Sequence, residues 1–151
     1  MINVLLIEDN KADVALIQSV LNNNRGNLNV TLIVSESITE ALDYLREKDR
    51  IDLILTDLIL PDSCGPDTVE LLQKYNKDAP IIVITGSDDE KTIEACMIKG
   101  AFTYLHKSDI NGNVKRSIIA AHAKKNAEKL KNQKLVGTIK EFFPNFKAEN
   151  I

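Results

Sequence analysis

Acidic, hydroxyl and basic side chains stand at the ends of short apolar runs in this sequence. Glu8 and Asp9 end the first run, Asp57 ends the third, and Thr85 and Lys107 end the next two. Carboxylates that meet at one place repel one another unless a cation joins them. Oxygen ligands without histidine or cysteine indicate Mg²⁺, which takes one or two carboxylates together with waters and phosphate oxygens. These residue types therefore predict a magnesium site that handles a phosphoryl group.

Asp57 fits the role of nucleophile in this site, because an aspartate carboxylate can attack phosphorus directly. The Thr85 hydroxyl, left accessible by Gly86, and the Lys107 ammonium are donors suited to phosphoryl oxygens. A single acid at a strand end more often caps a helix, and a single lysine there is usually solvated. Five suitable residues in one arrangement favour the phosphoryl site over those alternatives.

The elements that must position these residues alternate between strand and helix patterns. The third apolar run has no helical stripe and is short, as expected of a strand buried on both faces of a parallel sheet. The pattern predicts an α/β fold, a doubly wound five-stranded parallel sheet of flavodoxin-like order 2-1-3-4-5 with an extended C-terminal helix. This order brings the carboxyl ends of strands one and three together, where the acids lie.

The predicted bounds of these elements follow from apolar spacing and from helix caps. Strands are predicted at residues 2–8, 30–34, 51–56, 81–85 and 102–105, and helices at 12–21 and 89–99. Further helices are predicted to begin at a Ser37–Glu40 capping box, at Pro66 in a first turn and soon after Asn111, and Gly100 is predicted to end the fourth helix.

Composition indicates one soluble globular domain, with 151 residues of which 44% are apolar and 27% charged. We expect no membrane span, because no apolar run approaches the roughly 20 residues that one needs. Met1 leads directly into the first strand, so we expect no signal peptide. Cys64 and Cys96 lack metal or redox spacing, which favours reduced thiols and a cytoplasmic location.

Three enzyme classes with similar sheets are excluded by missing motifs. The sequence has no GxGxxG after the first strand and no GxxxxGK[ST] loop, so it carries neither phosphate-binding fingerprint. Haloacid-dehalogenase-type phosphatases have a second aspartate two residues after the nucleophile, where this chain has Ile59. His106 and His122 lack kinase-type surroundings and are interpreted as incidental.

Charge is distributed unevenly along the chain. Residues 1–111 carry ten basic and nineteen acidic side chains, a net charge of −9, and residues 112–151 carry nine and three, a net of +6. The acidic part argues against a nucleic-acid surface. The basic part is typical of a solvated amphipathic helix and has no DNA-binding motif, so we expect no nucleic-acid partner.

Four segments carry a family resemblance, namely VLLIEDN, LILTDLILPDSCG, IVITG and GAFTYLHK. In this order they resemble the receiver domain of response regulators, the CheY-like phosphoacceptor of two-component signalling. Each segment alone is a weak signal, and their combination is specific. The resemblance covers about residues 2 to 125, and it implies a receiver domain at 1–125 and a C-terminal extension, helical or linker, at 126–151.

The resemblance also implies roles for individual residues. Asp57 would accept a phosphoryl group from a histidine kinase, a phosphotransfer protein or a small phosphodonor, with Lys107 neutralising the phosphoryl oxygens. Asp9 would bind Mg²⁺ directly, Glu8 would bind it through water, and the backbone carbonyl of Ile59 would supply a further ligand.

A second set of implied roles concerns signalling. Thr85 would move toward the phosphoryl group, and Tyr104 would follow it inward as a switch residue, although an aromatic residue there could also be plain core edge. The rearranged face, formed by the fourth helix, fifth strand and fifth helix, would dock a downstream protein, an output domain or a second copy. Such a chain is no enzyme apart from its own phosphorylation and dephosphorylation.

Two residues near the site depart from the family pattern. Ser108 follows Lys107 where the family usually has proline after a cis bond, and a non-proline cis bond costs about 2.5–4 kcal/mol, so we predict a trans bond. If the Ser108 loop withdrew Lys107, the chain would be a pseudo-receiver, a phosphate-independent docking or dimerisation module. Ile59, apolar where a polar residue is frequent, is hypothesised to hinder attacking water and prolong the phosphorylated state.

The sequence allows several roles for the extension beyond residue 125. Lys134 and Gly137 interrupt a heptad pattern, so the sequence does not support a coiled coil. The apolar residues from Leu135 to Phe143 could pack on the domain, pair with a second copy, or begin a linker to a further domain.

Overall fold

The computed structural model describes residues 1–23, 26, 28–47 and 50–147, which form alternating strands and helices. The five strands of the main sheet are β1 (Ile2–Ile7), β2 (Val30–Ser35), β3 (Leu53–Asp57), β4 (Ile81–Thr85) and β5 (Thr103–His106). The helices are α1 (Lys11–Asn22), α2 (Ile38–Arg46), α3 (Asp67–Tyr75), α4 (Glu90–Ile98) and α5 (Ile110–Phe142). A two-residue antiparallel pair, Ile59–Leu60 with Ser63–Cys64, follows β3.

The main sheet is parallel and has the strand order β2-β1-β3-β4-β5, which confirms the predicted topology. Ile7 pairs with Thr56 and Asp57 pairs with Ile84, so β1, β3 and β4 end side by side. All five residues of β3 are buried, as are those of β4. The sequence that follows each of these strands therefore lies at one edge of the sheet.

Two apolar cores, one on each face of the sheet, hold the strands in place. Alternate residues of β3 point to opposite faces. Ile54 packs into the core under α2, α3 and α4, and Leu55 packs into the core under α1 and α5. With both faces covered, chemistry is confined to the sheet edges and the loops that follow the strands.

The helix caps match the sequence with small differences. Ser37 caps α2 by accepting a hydrogen bond from Glu40 N at 3.1 Å, but the Glu40 side chain accepts from Glu36 N at 3.2 Å instead of closing the capping box on Ser37. Pro66 is the N-cap of α3 and not a residue of its first turn. Gly100 follows α4 with φ 114°, the positive value that favours glycine.

Several predicted bounds were displaced by one or two residues, as is common at element ends. Strand β5 covers Thr103–His106 where 102–105 was predicted, and β3 covers Leu53–Asp57 where 51–56 was predicted. Helix α5 begins at Ile110, before the predicted start after Asn111, because a short 3₁₀ turn over Lys107–Asp109 leads into it.

Helix α5 runs for 33 residues and continues past the part that is buried in the domain. Its core-facing residues end at Ala121, and the side chains of Leu130, Phe142 and Phe143 are exposed. Those three side chains therefore do not pack on the domain, and their pairing with a second copy or a linker role stays a prediction. The domain boundary at residue 125 stays a prediction, since α5 passes through it as one helix.

Both cysteines are free, with Cys96 buried and Cys64 exposed. Within the described residues, none of the helices combines the length and the apolar character that crossing a bilayer requires.

Candidate functional site

The acids that follow β1 and β3 meet at the carboxyl edge of the sheet, as the strand order predicts. One carboxylate oxygen from each of Glu8, Asp9 and Asp57 lies within 4.8 Å of the other two. Glu8 and Asp57 are buried, and Asp9 is exposed. Because the donors are all carboxylate oxygens, with a solvent-facing side at Asp9, the cluster suits a hard cation that retains waters, such as Mg²⁺.

Asp57 is held in one orientation by the loop that follows it. Its Oδ1 accepts hydrogen bonds from Leu58 N at 2.7 Å and from Ile59 N at 3.3 Å, and its Oδ2 accepts one from Lys107 Nζ at 3.0 Å. Both oxygens therefore have donors although the side chain is buried. The carboxylate is held by two backbone N–H groups and one ammonium, which is the preorganisation that a reacting group needs.

Glu8 is the most deeply buried acid of the cluster, with 1% of its surface exposed. Burial raises the pKa of Glu8 to about 7, and the neighbouring Asp57 raises it as well. A hydrogen bond from Asn10 N to Glu8 Oε1, at 3.1 Å, acts in the opposite direction. Such a group favours a nearby cation, because a cation offsets the cost of keeping the buried carboxylate charged.

Lys107 brings its ammonium to the same edge from the end of β5. Its Nζ lies 2.8 Å from Asp13 Oδ2, 3.0 Å from Asp57 Oδ2 and 3.5 Å from Glu8 Oε2. Burial acts to lower the pKa of Lys107, but the hydrogen bonds and charges of Asp13, Asp57 and Glu8 outweigh it, and the net shift is upward. Lys107 is therefore a permanent positive charge in contact with the Asp57 carboxylate.

Asp13 is a site residue that reasoning from the sequence missed. It lies in the first turn of α1, four residues after Asp9 and 94 residues before its partner Lys107. The signal in the sequence was an acid at the start of a predicted helix, shortly after a predicted metal ligand. That signal alone does not identify the partner, because the partner depends on how α1 packs beside β5.

Thr85 ends β4 and is buried, with 3% of its surface exposed. Its Oγ1 accepts a hydrogen bond from Ser87 N at 3.1 Å, so the hydroxyl turns toward the loop after β4. Gly86 lies beside the lysine, since a Cβ built there would be 4.0 Å from Lys107 Cδ. This ordinary contact distance places the loop after β4 against the Lys107 side chain.

Tyr104 lies on β5 at the edge of the sheet, and 42% of its surface is exposed. Two other large apolar side chains of this region, Ile98 in α4 and Ile119 in α5, are also exposed. The side chain of Ile59, two residues after Asp57, is also exposed, with 72% of its surface accessible. The Tyr104 side chain is thus partly exposed and lies outside the core.

The loop after β5 keeps Lys107 at the site. No cis peptide bond occurs among the described residues, so the predicted trans Lys107–Ser108 bond is confirmed. His106 Nδ1 contacts Ser108 Oγ at 2.6 Å, and His106 Nε2 lies 3.2 Å from the Gly86 carbonyl oxygen. These contacts fix the turn around Lys107 without a proline and tie it to the loop after β4.

Comparisons with known proteins give a family match and structures of the same fold. Residues 4–127 match the family described as the response regulator receiver domain. The two-component response regulator ORR1 of rice, Oryza sativa, is 26% identical over 120 residues, which cover 75% of this chain and 52% of the rice protein. This chain therefore spans about half the length of that relative.

Two solved structures are similar in fold and in sequence. The phosphorylated cyanobacterial phytochrome response regulator RcpA is 28% identical with a TM-score of 0.63, covering 82% of this chain and 90% of that one. The Mn²⁺-bound form of the response regulator Rcp1 is 29% identical with a TM-score of 0.64, covering 82% of this chain and 91% of that one.

The receiver domains of two-component systems are usually partnered with histidine kinases. They are signalling modules and not enzymes in the usual sense. With the predicted fold, the acidic cluster and a family match over residues 4–127, this chain belongs to the response regulator receiver domain family of two-component signalling.

Proposed function

We propose that this chain is a phosphorylation-controlled switch in which Asp57 accepts a phosphoryl group in a Mg²⁺-dependent reaction. The observation that carries the proposal is the grouping of the Glu8, Asp9 and Asp57 carboxylates within 4.8 Å, with Lys107 Nζ 3.0 Å from Asp57 Oδ2. A fixed carboxylate between a cation-binding cluster and an ammonium is suited to attack an anionic phosphorus centre.

The cation would be held by the oxygens of Glu8, Asp9 and Asp57, together with the backbone carbonyl of Ile59. The donor set supports Mg²⁺, and the Mn²⁺-bound form of the relative Rcp1 supports the binding of a divalent cation by this chain. When bound, the cation supplies positive charge that offsets the charge developing on phosphoryl oxygens.

In the proposed reaction one carboxylate oxygen of Asp57 attacks the phosphorus of the donor. A new P–O bond forms on Asp57, the bond from phosphorus to the donor breaks, and the leaving group departs with its electron pair. The donor is the phosphohistidine of a kinase or phosphotransfer protein, or a small acyl phosphate. Lys107 is positioned to hold a phosphoryl oxygen, because its ammonium already contacts Asp57 Oδ2.

Thr85 and Tyr104 would transmit the phosphorylated state. The Thr85 hydroxyl would exchange its hydrogen bond from Ser87 N for one to the phosphoryl group, and the exposed Tyr104 ring would move inward. This change would alter the face formed by α4, β5 and α5, where a downstream partner or output domain docks. The exposed Ile98, Tyr104 and Ile119 supply apolar contact surface on those three elements.

The phosphate-independent alternative, a pseudo-receiver, requires that Lys107 be withdrawn from the crevice. The 3.0 Å contact between Lys107 Nζ and Asp57 Oδ2 argues against that withdrawal and supports the phosphorylated switch.

The test is the intact mass of the chain after incubation with acetyl phosphate and Mg²⁺. We expect the wild-type chain to gain one phosphoryl group and the Asp57→Asn chain to gain none. No gain by the wild-type chain with acetyl phosphate or phosphoramidate would overturn the proposal, and so would an equal gain by both chains.

A further inference from the structure

The shortest contact of the Lys107 ammonium is made with Asp13 and not with the acceptor. Asp13 Oδ2 lies 2.8 Å from Lys107 Nζ, compared with 3.0 Å for Asp57 Oδ2 and 3.5 Å for Glu8 Oε2. The Asp13 and Lys107 side chains are 26% and 27% exposed, so this ion pair is partly shielded from water. An ion pair of this kind restrains a long side chain that is otherwise flexible.

Asp13 is itself held in place by the start of α1. The Asn10 side chain caps this helix and accepts hydrogen bonds from Ala12 N at 2.9 Å and Asp13 N at 3.1 Å. Asn10 N also donates to Glu8 Oε1, so the cap is joined to the acidic cluster. The position of Asp13 is therefore set by the same turn that presents Glu8 and Asp9.

We propose that Asp13 is a positioning residue for Lys107, an inference that rests on the proposed phosphorylation of Asp57. Asp13 keeps the ammonium at the crevice while Asp57 Oδ2, its second partner, is consumed by bond formation to phosphorus. An ammonium has three donors, so Lys107 can keep its bond to Asp13 and direct another donor to a phosphoryl oxygen. Asp13 acts through Lys107 and does not contact the transferred group.

The proposed positioning role of Asp13 differs both from metal binding and from the general effect of an acid at a helix start. Among the described residues, the carboxylate cluster that fits a metal comprises Glu8, Asp9 and Asp57 and does not include Asp13. Asp13 also lies in the first turn of α1, where any acid favours the helix dipole. That general effect changes stability and does not depend on Lys107, so the two roles differ in a measurable way.

The test is a double-mutant cycle on the rate of phosphorylation by acetyl phosphate at saturating Mg²⁺. The four chains are wild type, Asp13→Asn, Lys107→Ala and the double variant, and intact mass gives the rate. We expect Asp13→Asn to slow the wild-type reaction about fivefold, the upper end of what a partly exposed ion pair contributes. In the Lys107→Ala background the same substitution should have little effect, because the group that it positions is absent.

Two further variants serve as controls. Asp13→Glu keeps the charge and should recover most of the rate. Asp67→Asn removes an exposed acid from the first turn of α3 and should leave the rate within twofold of wild type.

Each outcome of the cycle decides one question. If wild type gains no phosphoryl group, the proposed function fails and this inference fails with it. If wild type is phosphorylated but Asp13→Asn changes the rate equally with and without Lys107, or not at all, only the positioning role is overturned.

Discussion

Two buried aspartates flank strand β3, one directly before it and one as its last residue, and the charges around their side chains differ. Asp52, which precedes β3, accepts a hydrogen bond from Asn3 N at 2.9 Å and lies 3.5 Å from Arg50 and 3.8 Å from Lys125. Asp57, which ends β3, shares its surroundings with two further carboxylates of the cluster and one ammonium, that of Lys107. The first acid is neutralised by its neighbours, and the second lies in an excess of negative charge.

This difference shows that a buried aspartate next to a strand can have either a structural or a chemical role, depending on the charges around it. Two cations and a backbone donor satisfy Asp52, so it ties the starts of β1 and β3 to α5 and has no need of a ligand. The acids around Asp57 repel one another and lack a matching number of cations, so the site favours an added cation. Charge balance, and not burial alone, distinguishes the candidate reactive acid.

The largest expected effect comes from removing the divalent cation at the Asp57 end. Without it, several carboxylates face an anionic phosphodonor, so we expect phosphorylation to slow by about 100-fold or more. The measurement is the rate of mass gain with acetyl phosphate in Mg²⁺ and in EDTA. An equal rate in Mg²⁺ and in EDTA would contradict the claim that the acids around Asp57 need an added cation.

The next effect is on stability at the Asp52 end. Asp52→Asn leaves Arg50 and Lys125 without their buried partner, and we expect a loss of about 1–2 kcal/mol in the free energy of unfolding. Phosphorylation of this variant should stay within twofold of wild type. Asp57→Asn, which relieves repulsion, should be no less stable than wild type in urea unfolding. A stability loss at Asp57 equal to that at Asp52 would contradict the comparison.

A smaller effect is expected at Asp62, a structural acid on the same sheet edge as Asp57. Its carboxylate accepts hydrogen bonds from Ile38 N at 2.9 Å, Thr39 N at 2.9 Å and the Thr39 hydroxyl at 2.6 Å, so it caps α2 from another loop. The Thr39 hydroxyl, followed by the backbone donors, lowers the pKa of Asp62. Both Asp62 oxygens accept hydrogen bonds, and Asp62→Asn replaces one of them with an amide that cannot accept, so we expect a cost of about 1 kcal/mol at pH 7, the size of one lost hydrogen bond.

The pH dependence of this effect follows from the direction of the shift. Since the pKa of Asp62 is lower in the folded chain, its stabilisation is fully present above the ordinary value of 3.8 and is lost as the pH falls below it. Urea unfolding of both chains at pH 7, 5 and 3.5 should therefore give a difference that narrows only at the lowest pH. A difference that is constant with pH would show that the charge of Asp62 is not responsible.

The smallest expected effect concerns Ile59, whose exposed side chain lies two residues after Asp57. An asparagine there can hydrogen-bond an attacking water, so Ile59→Asn should shorten the lifetime of the phosphorylated chain about threefold, the size of one modest hydrogen bond. The decay of the phosphorylated mass after removal of acetyl phosphate measures it, and Ile59→Val is the apolar control. An unchanged lifetime in the asparagine variant would exclude the idea that Ile59 hinders water.

The topology and the meeting of the acids could be predicted from the sequence because both depend on local patterns. Short apolar runs that alternate with helices allow few arrangements, and the 2-1-3-4-5 order then places the residues after strands one and three together. Glu8, Asp9 and Asp57 follow those strands directly, so their convergence needed no knowledge of side-chain packing.

The residues that were missed depend on how distant elements pack. The contact of Asp13 with Lys107 joins residues 94 positions apart, and that of Asp62 with Thr39 joins residues 23 apart. Each pair depends on the rotation of a helix against a loop, which apolar periodicity does not specify. The length of α5 was uncertain for a related reason, because Lys134 and Gly137 weaken a helical pattern that the chain nevertheless continues.

The most direct test of the central claim is to locate the phosphoryl group on the chain. Borohydride reduces an aspartyl phosphate to homoserine, so the phosphorylated chain is reduced, digested and analysed by peptide mass spectrometry. We expect homoserine at Asp57 and unmodified aspartate at Asp52, Asp9 and Asp13. Homoserine at any of those three positions, with Asp57 unmodified, would contradict the assignment of Asp57 as the phosphoacceptor.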